Sequence, residues 1–187
     1  MSDIIIYGGA FNPPTIAHKQ IGEYLLNKYK DKKIIYLPTN SFYNKEDLAS
    51  FRDRYNMTKL LVKDLGKRVE VSKYEGKEHE FSGTYYTLIH YKHPYFVIGA
   101  DSLKNLPSWI EGKKLIEENH FIVFPRKGYD INEILKLDII KDNINNFIIE
   151  SSFDENDISS SIFRSLKDEK VLTEEVKNYI KKKGLYR

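Results

Sequence analysis

Two glycines, a threonine and a histidine stand close together in "IIIYGGAFNPPTIAHKQIGEYLL", Ile4 to Leu26. An apolar run leads straight into Gly8-Gly9, and Pro13-Pro14 stiffen the connection to the next element. Thr15 is a natural N-cap, and His18 falls in the first turn of the helix it opens. These residues suit phosphate chemistry. Glycines let backbone N–H groups approach an anion, while a helix N-terminus and an imidazole supply further donors. The same residues also make an ordinary strand, turn and helix with a surface histidine, because the spacing matches neither the P-loop nor the dinucleotide-binding fingerprint. A second candidate is "ISSSIFR", Ile158 to Arg164, with serines at a helix start and an arginine fork suited to phosphate oxygens. Alone, it reads rather as a Ser-capped helix with a surface arginine.

Short apolar runs must position these residues. They recur at Ile4 to Tyr7, Lys33 to Leu37, Arg68 to Ser72, Tyr95 to Ile98, Phe121 to Phe124 and Phe147 to Ile149. Helical spacing fills the gaps: Ala17, Ile21 and Leu25 form one stripe, and Tyr55, Leu60, Leu61 and Leu65 suggest a second helix. Tyr86 to Tyr91, Lys113 to Asn119 and Ile131 to Ile140 are further candidates. The tail has Asp157 or Ser159 as one cap, and Thr173-Glu174-Glu175 opens a last helix that Gly184 closes. This alternation predicts an α/β fold, a Rossmann-like doubly wound and mainly parallel sheet with helices on both faces. Ligands in such sheets collect at the carboxyl ends of strands, where Gly8-Gly9, Pro38-Thr39 and Gly99-Ala100-Asp101 all stand.

Composition narrows the classes. The 187 residues suit one domain spanning 1–187, with a helical C-terminal part from about residue 157. Apolar residues are 41% and charged residues 30%, far from a disordered composition. Lys and Arg number 30 against 27 Asp and Glu, so the net charge of +3 gives little support to nucleic-acid binding despite the cluster Lys181 to Lys183. The absence of cysteine excludes disulfides, thiolate metal sites and cysteine nucleophiles. No window approaches the roughly 18 apolar residues of a membrane span, and no leader pattern opens the chain. No membrane partner and a cytoplasmic location are expected.

"GGAFNPPTIAH" resembles the signature G-x-F-[DN]-P-x-[HT]-x-G-H of the nucleotidyltransferase superfamily, with Gly8 or Gly9, Phe11, Asn12, Pro13, Thr15 and His18 on its positions and Ala17 where glycine is usual. "ISSSIFR" resembles the superfamily's ISSTxIR. The rest of the chain is similar to the bacterial nicotinate-nucleotide adenylyltransferases: "LPT" at Leu37 to Thr39, Lys45, "RYNMTKLL" at Arg54 to Leu61, "SGTYYTL" at Ser82 to Leu88, the block Ile98 to Asp130, and the ending "VKNYIKKKGLY". Phe42-Tyr43-Asn44 replaces a usual Pro-Pro-His, and Gly83 and Tyr86 stand where Tyr and Asp are usual.

The resemblance implies adenylyl transfer from ATP to nicotinate mononucleotide, with Mg²⁺ accompanying ATP and no dedicated metal ligands in the chain. It assigns catalysis to His18 and Thr15 on the α-phosphate, with the bridging oxygen as the alternative for His18, and to Lys45 and Arg164 on the β- and γ-phosphates. ATP contacts fall on Gly8, Gly9, Ala10, Phe11, His18, Gly99, Asp101, Ile158, Ser159, Ser160 and Arg164. Acceptor contacts fall on Thr84, Tyr85, Asp101, Trp109 and Ile110, with Trp109 against the pyridine ring and backbone N–H groups near Thr84 and Ile110 on the carboxylate. Trp109 is otherwise a core aromatic, and Asp101 a cap for a helix starting at Ser102. Alternatives are an adenylyltransferase acting on nicotinamide mononucleotide or phosphopantetheine, or a non-catalytic nucleotide sensor. A homo-oligomer is left open.

Overall fold

Every apolar run forms a strand: β1 Ile4–Gly9, β2 Lys33–Pro38, β3 Val69–Val71, β4 Tyr95–Gly99, β5 His120–Phe124 and β6 Phe147–Ile149. A computed structural model of the chain describes residues 2–42, 48–77, 82–153, 163, 164, 166 and 168–186. The six strands lie in one sheet in the order β3-β2-β1-β4-β5-β6. The pairings β2 with β3, β1 with β4, β4 with β5 and β5 with β6 are parallel, with Ile6 opposite Phe96, Phe96 opposite Phe121 and Phe121 opposite Phe147. This is the Rossmann-like α/β sheet, whose strand order reverses at β1 and β4.

Successive residues of a strand point to opposite faces, so an unbroken buried run means that both faces are covered. Phe121, Ile122, Val123 and Phe124 of β5 are all buried, as are Ile34, Ile35, Tyr36 and Leu37 of β2. The apolar runs are thus continuous rather than alternating.

The chain divides into two compact units, Met1–Tyr7 with Ser82–Glu155 and Gly8–Phe81 with Asn156–Arg187. The second unit carries α1 Ile16–Lys28, α2 Phe51–Leu61 and α8 Glu174–Lys183. Ile21, Gly22 and Leu25 are the buried residues of α1. The α2 stripe differs from expectation. Its buried residues are Arg54, Met57, Thr58 and Leu61, while α2 ends at Leu61, so Leu65 lies beyond it. Apolar periodicity could not find an arginine that faces the core. Thr173 caps α8 and Gly184 closes it at φ 63, as expected.

The first unit carries α3 Thr84–His90, α4 Ala100–Asn105, α5 Gly112–Glu118, α6 Ile131–Ile134 and α7 Asp138–Asp142. The segment Ile131 to Ile140, expected as one helix, is therefore two. Ile134 and Ile140 are both buried, yet six residues of a continuous helix turn through about 240° and would place them on different faces. The break re-aims the second. Among the described residues no helix is long and apolar enough to cross a membrane.

Candidate active site

β1 ends in Gly8-Gly9, and the chain then crosses to α1 through Phe11, whose φ of 46 lies in the left-handed region. A Cβ on Gly9 would approach the Phe11 ring to 3.3 Å, so glycine gives that ring its place. The ring is buried and meets His18 edge-on, centroids 5.1 Å apart. Thr15, fully buried, is the N-cap of α1. Its backbone N–H donates to His18 Nδ1 at 3.0 Å, and its hydroxyl lies 2.8 Å from the same nitrogen. A nitrogen that accepts from a backbone N–H carries no hydrogen of its own, so the hydroxyl also donates. The neutral imidazole then holds its hydrogen on Nε2 and offers it as a donor.

The far side of His18 is fixed as well. Tyr36 donates its hydroxyl to His18 O at 2.8 Å, and glycine at position 22 leaves room for it, since a Cβ there would collide with the Tyr36 hydroxyl oxygen. Sequence inspection left this support unseen.

Arg54 braces the loop from below. Its Nε, Nη1 and Nη2 donate to Ala49 O at 3.0 Å, Ala10 O at 2.9 Å and Thr39 O at 2.7 Å. Burial lowers the guanidinium's pKa from its ordinary value, while Tyr186 and the buried Glu75 act against that shift. Arg164 Nη1 donates to Asn12 O at 2.6 Å, which brings the two sequence motifs together. Tyr43, Asn44, Lys45, Asp157, Ile158, Ser159 and Ser160 lie outside the described residues.

In the other unit, Gly99 ends β4 and caps α4, which begins at Ala100, so Asp101 stands in the first turn of that helix instead of preceding it. Asp101 Oδ1 lies 3.7 Å from Nε of Arg126, just after β5. A Cβ on Gly99 would come within 2.4 Å of that carboxylate oxygen and 3.0 Å of Arg126 Nε. Burial raises the pKa of Tyr7 well above the usual phenol range; Arg126 opposes and Asp101 adds to the shift, so the phenol stays protonated. Arg126 is a site candidate that sequence reasoning did not single out, although an arginine directly after a strand was the available signal.

Gly83 caps α3 with φ 102, and a Cβ there would be 2.9 Å from Ile110 Cβ. Gly83 and Ile110 therefore touch, bringing the Thr84 end of α3 to the Trp109-Ile110 segment. Tyr85 is buried, and its hydroxyl donates to Glu118 Oε2 on α5 at 2.9 Å. Trp109 ends the short turn Leu106–Ser108 and is half-buried, while Ile110 is 47% exposed. The turn is tight. A Cβ on Gly112 would lie 2.5 Å from Pro107 O, so glycine allows α5 to start beneath it. Among the described residues no group of three or more His, Asp or Glu could hold a metal ion.

The family model described as cytidylyltransferase-like matches residues 6–166. A protein of Acholeplasma laidlawii named "Probable nicotinate-nucleotide adenylyltransferase" is 37% identical over 190 residues, covering 98% of this chain and 97% of that protein. One of the same name from Clostridium tetani is 33% identical, covering 97% and 98%. Among solved structures, Plasmodium falciparum nicotinic acid mononucleotide adenylyltransferase complexed with NaAD superposes with a TM-score of 0.82 at 27% identity, over 98% of this chain and 96% of that one.

Proposed function

Because the chain belongs to the cytidylyltransferase-like family and, with its near full-length relatives, to the nicotinate-nucleotide adenylyltransferases, we propose that it makes deamido-NAD from ATP and nicotinate mononucleotide. A phosphate oxygen of the mononucleotide attacks the α-phosphorus of ATP in line. The new P–O bond forms as the bond from the α-phosphorus to the bridging oxygen breaks, and pyrophosphate leaves with the electron pair. The nucleophile is already an anion, so the chain's task is alignment and the neutralisation of charge that moves to the leaving group.

One observation carries this reading: His18, after the glycine turn, is held with Nδ1 as acceptor and Nε2 as donor. That donor is assigned to the α-phosphate or the bridging oxygen, where charge grows. Thr15, whose hydroxyl is buried on Nδ1, acts through the imidazole by fixing its tautomer. Lys45 and Arg164 are assigned to the β- and γ-phosphates, and Gly8, Gly9, Ala10, Phe11, Ile158, Ser159 and Ser160 to the remaining triphosphate contacts. Gly99 and Asp101 take ribose hydroxyls, with Arg126 holding the Asp101 carboxylate.

The acceptor falls to Trp109, against whose indole a flat, electron-poor pyridine ring can stack. Backbone N–H groups at Thr84 and Ile110 bind the carboxylate, and Tyr85 supports α3 through Glu118. Mg²⁺ would enter with ATP and would supply neutralisation of phosphate charge, with Lys45, Arg164 and His18 sharing that load.

The test is to incubate the protein with ATP, Mg²⁺ and either nicotinate mononucleotide or its amide, following pyrophosphate and identifying the dinucleotide by mass. Faster product from the acid is expected. Faster product from the amide would overturn the carboxylate contacts, and none from either would overturn the reaction. Trp109→Ala should raise the acceptor Kd by calorimetry and leave that of ATP within about twofold.

A further inference from the structure

After α8 the chain turns back on itself. Gly184 and Tyr186 both have positive φ, 63 and 58, and for a tyrosine that conformation persists only where contacts hold it. Two contacts do so. The Tyr186 hydroxyl donates to Asn12 Oδ1 at 2.6 Å, and its ring meets Phe163 edge-on with centroids 5.7 Å apart. Each partner neighbours a residue assigned above to the phosphate site. Asn12 follows Phe11, whose ring sets His18, and Phe163 precedes Arg164.

Asn12 is buried at 3% exposure and is a junction in its own right. Its Oδ1 also accepts from Ala49 N at 3.0 Å, and its carbonyl accepts from Arg164 at 2.6 Å. Through Asn12 and Phe163, Tyr186 is thus linked to three segments: the loop before α1, the segment before α2 and the residues Phe163 and Arg164.

We propose that Tyr186 is a positioning residue of the phosphate site, its hydroxyl fixing the Asn12 loop and its ring fixing Phe163 and with it Arg164, so that His18 and Arg164 are held in register. The proposal rests on the adenylyl-transfer reading for its consequence, not for its geometry. Without the hydroxyl, the loop samples arrangements in which Phe11 no longer sets His18. The apparent ATP affinity then falls by the fraction of molecules still competent.

The test compares the full chain with Tyr186→Phe, which keeps the ring on Phe163 and removes only the hydrogen bond. Tyr179→Phe is the control, since Tyr179 donates to Asp53 and accepts from Asn56, both on α2, and makes no hydrogen bond to Asn12. Both variants should lose some thermal stability. Only Tyr186→Phe should weaken ATP binding, by about three- to tenfold for one neutral hydrogen bond, with kcat/KM for ATP falling in parallel and the acceptor Kd unchanged. In the ligand-free protein, amide hydrogen exchange in peptides spanning 8–18 should quicken in Tyr186→Phe and stay at the wild-type rate in Tyr179→Phe. Unchanged exchange and ATP affinity in Tyr186→Phe, or equal changes in both variants, would overturn the proposal. A wild-type protein without turnover would overturn the adenylyl-transfer reading instead, and exchange at 8–18 would still decide the role of Tyr186.

Discussion

His18 is a donor of defined hand because two hydrogens from Thr15 occupy its Nδ1. Removing the ring should cost more than loosening it. His18→Ala is expected to lower kcat by about 10²-fold or more, in the range for losing a donor to developing charge. Thr15→Val keeps the backbone N–H bond and loses the hydroxyl, so kcat should fall by roughly tenfold with little change in ATP Kd, measured by steady-state kinetics beside calorimetry. At Gly83 the constraint is steric. With φ at 102 and Ile110 Cβ 2.9 Å from any added methyl, Gly83→Ala should destabilise by about 1–3 kcal/mol in urea unfolding. It should also weaken acceptor binding more than ATP binding. The glycine turn, Thr15 and His18 were legible in the sequence because they are neighbours in it. Tyr36, Arg126 and Tyr186 were not, because each reaches its partner from another element.

At the scale of elements, helix caps were easy to read and helix faces were not. Thr173 and Gly184 bound α8 through local chemistry, which nearby residues determine. The buried face of α2 includes Arg54, because carbonyls left at the ends of other segments need donors there, and Thr58, whose hydroxyl donates back to Arg54 O within the helix. The join of α2 to α8 makes a pH prediction. Ser50 Oγ donates to Asp53 Oδ2 at 2.6 Å, and Tyr179 donates to Oδ1 at 2.9 Å. The Ser50 bond, with Tyr179, Lys183 and Arg52 adding to it and burial opposing, holds this carboxyl below its ordinary pKa. A depressed folded value means that Asp53 stabilises fully above the unfolded pKa of about 3.9 and loses its contribution as pH falls through the folded value. Asp53→Asn should therefore lower Tm at pH 7 and narrow its gap to wild type as pH drops below about 4, read from thermal melts.

For the whole molecule, Arg54 shows how much stability rests on one polar residue. Its guanidinium closes three carbonyls that lie far apart in the chain, and the charge is fully buried. Arg54→Met fills similar space but orphans those carbonyls. Such a variant should lose about 3–5 kcal/mol in urea unfolding, since each buried carbonyl left without a donor costs about 1–3 kcal/mol and some regain partners by relaxation. The sequence by itself determined the six strands, the parallel α/β class and the residues that end β1 and β4, since continuous apolar runs and glycine turns are local signals. It also carried the family, through motifs whose residues are adjacent. Only the tertiary structure decided that Thr15 serves His18, that an arginine lies in the core, that Ile131 to Ile140 breaks, and that Tyr186 returns to Asn12. The break follows from burying Ile134 and Ile140 together; the other three depend on where a polar group needs a partner after the strands have paired, and a hydrogen bond across 174 residues leaves no period in the sequence to find.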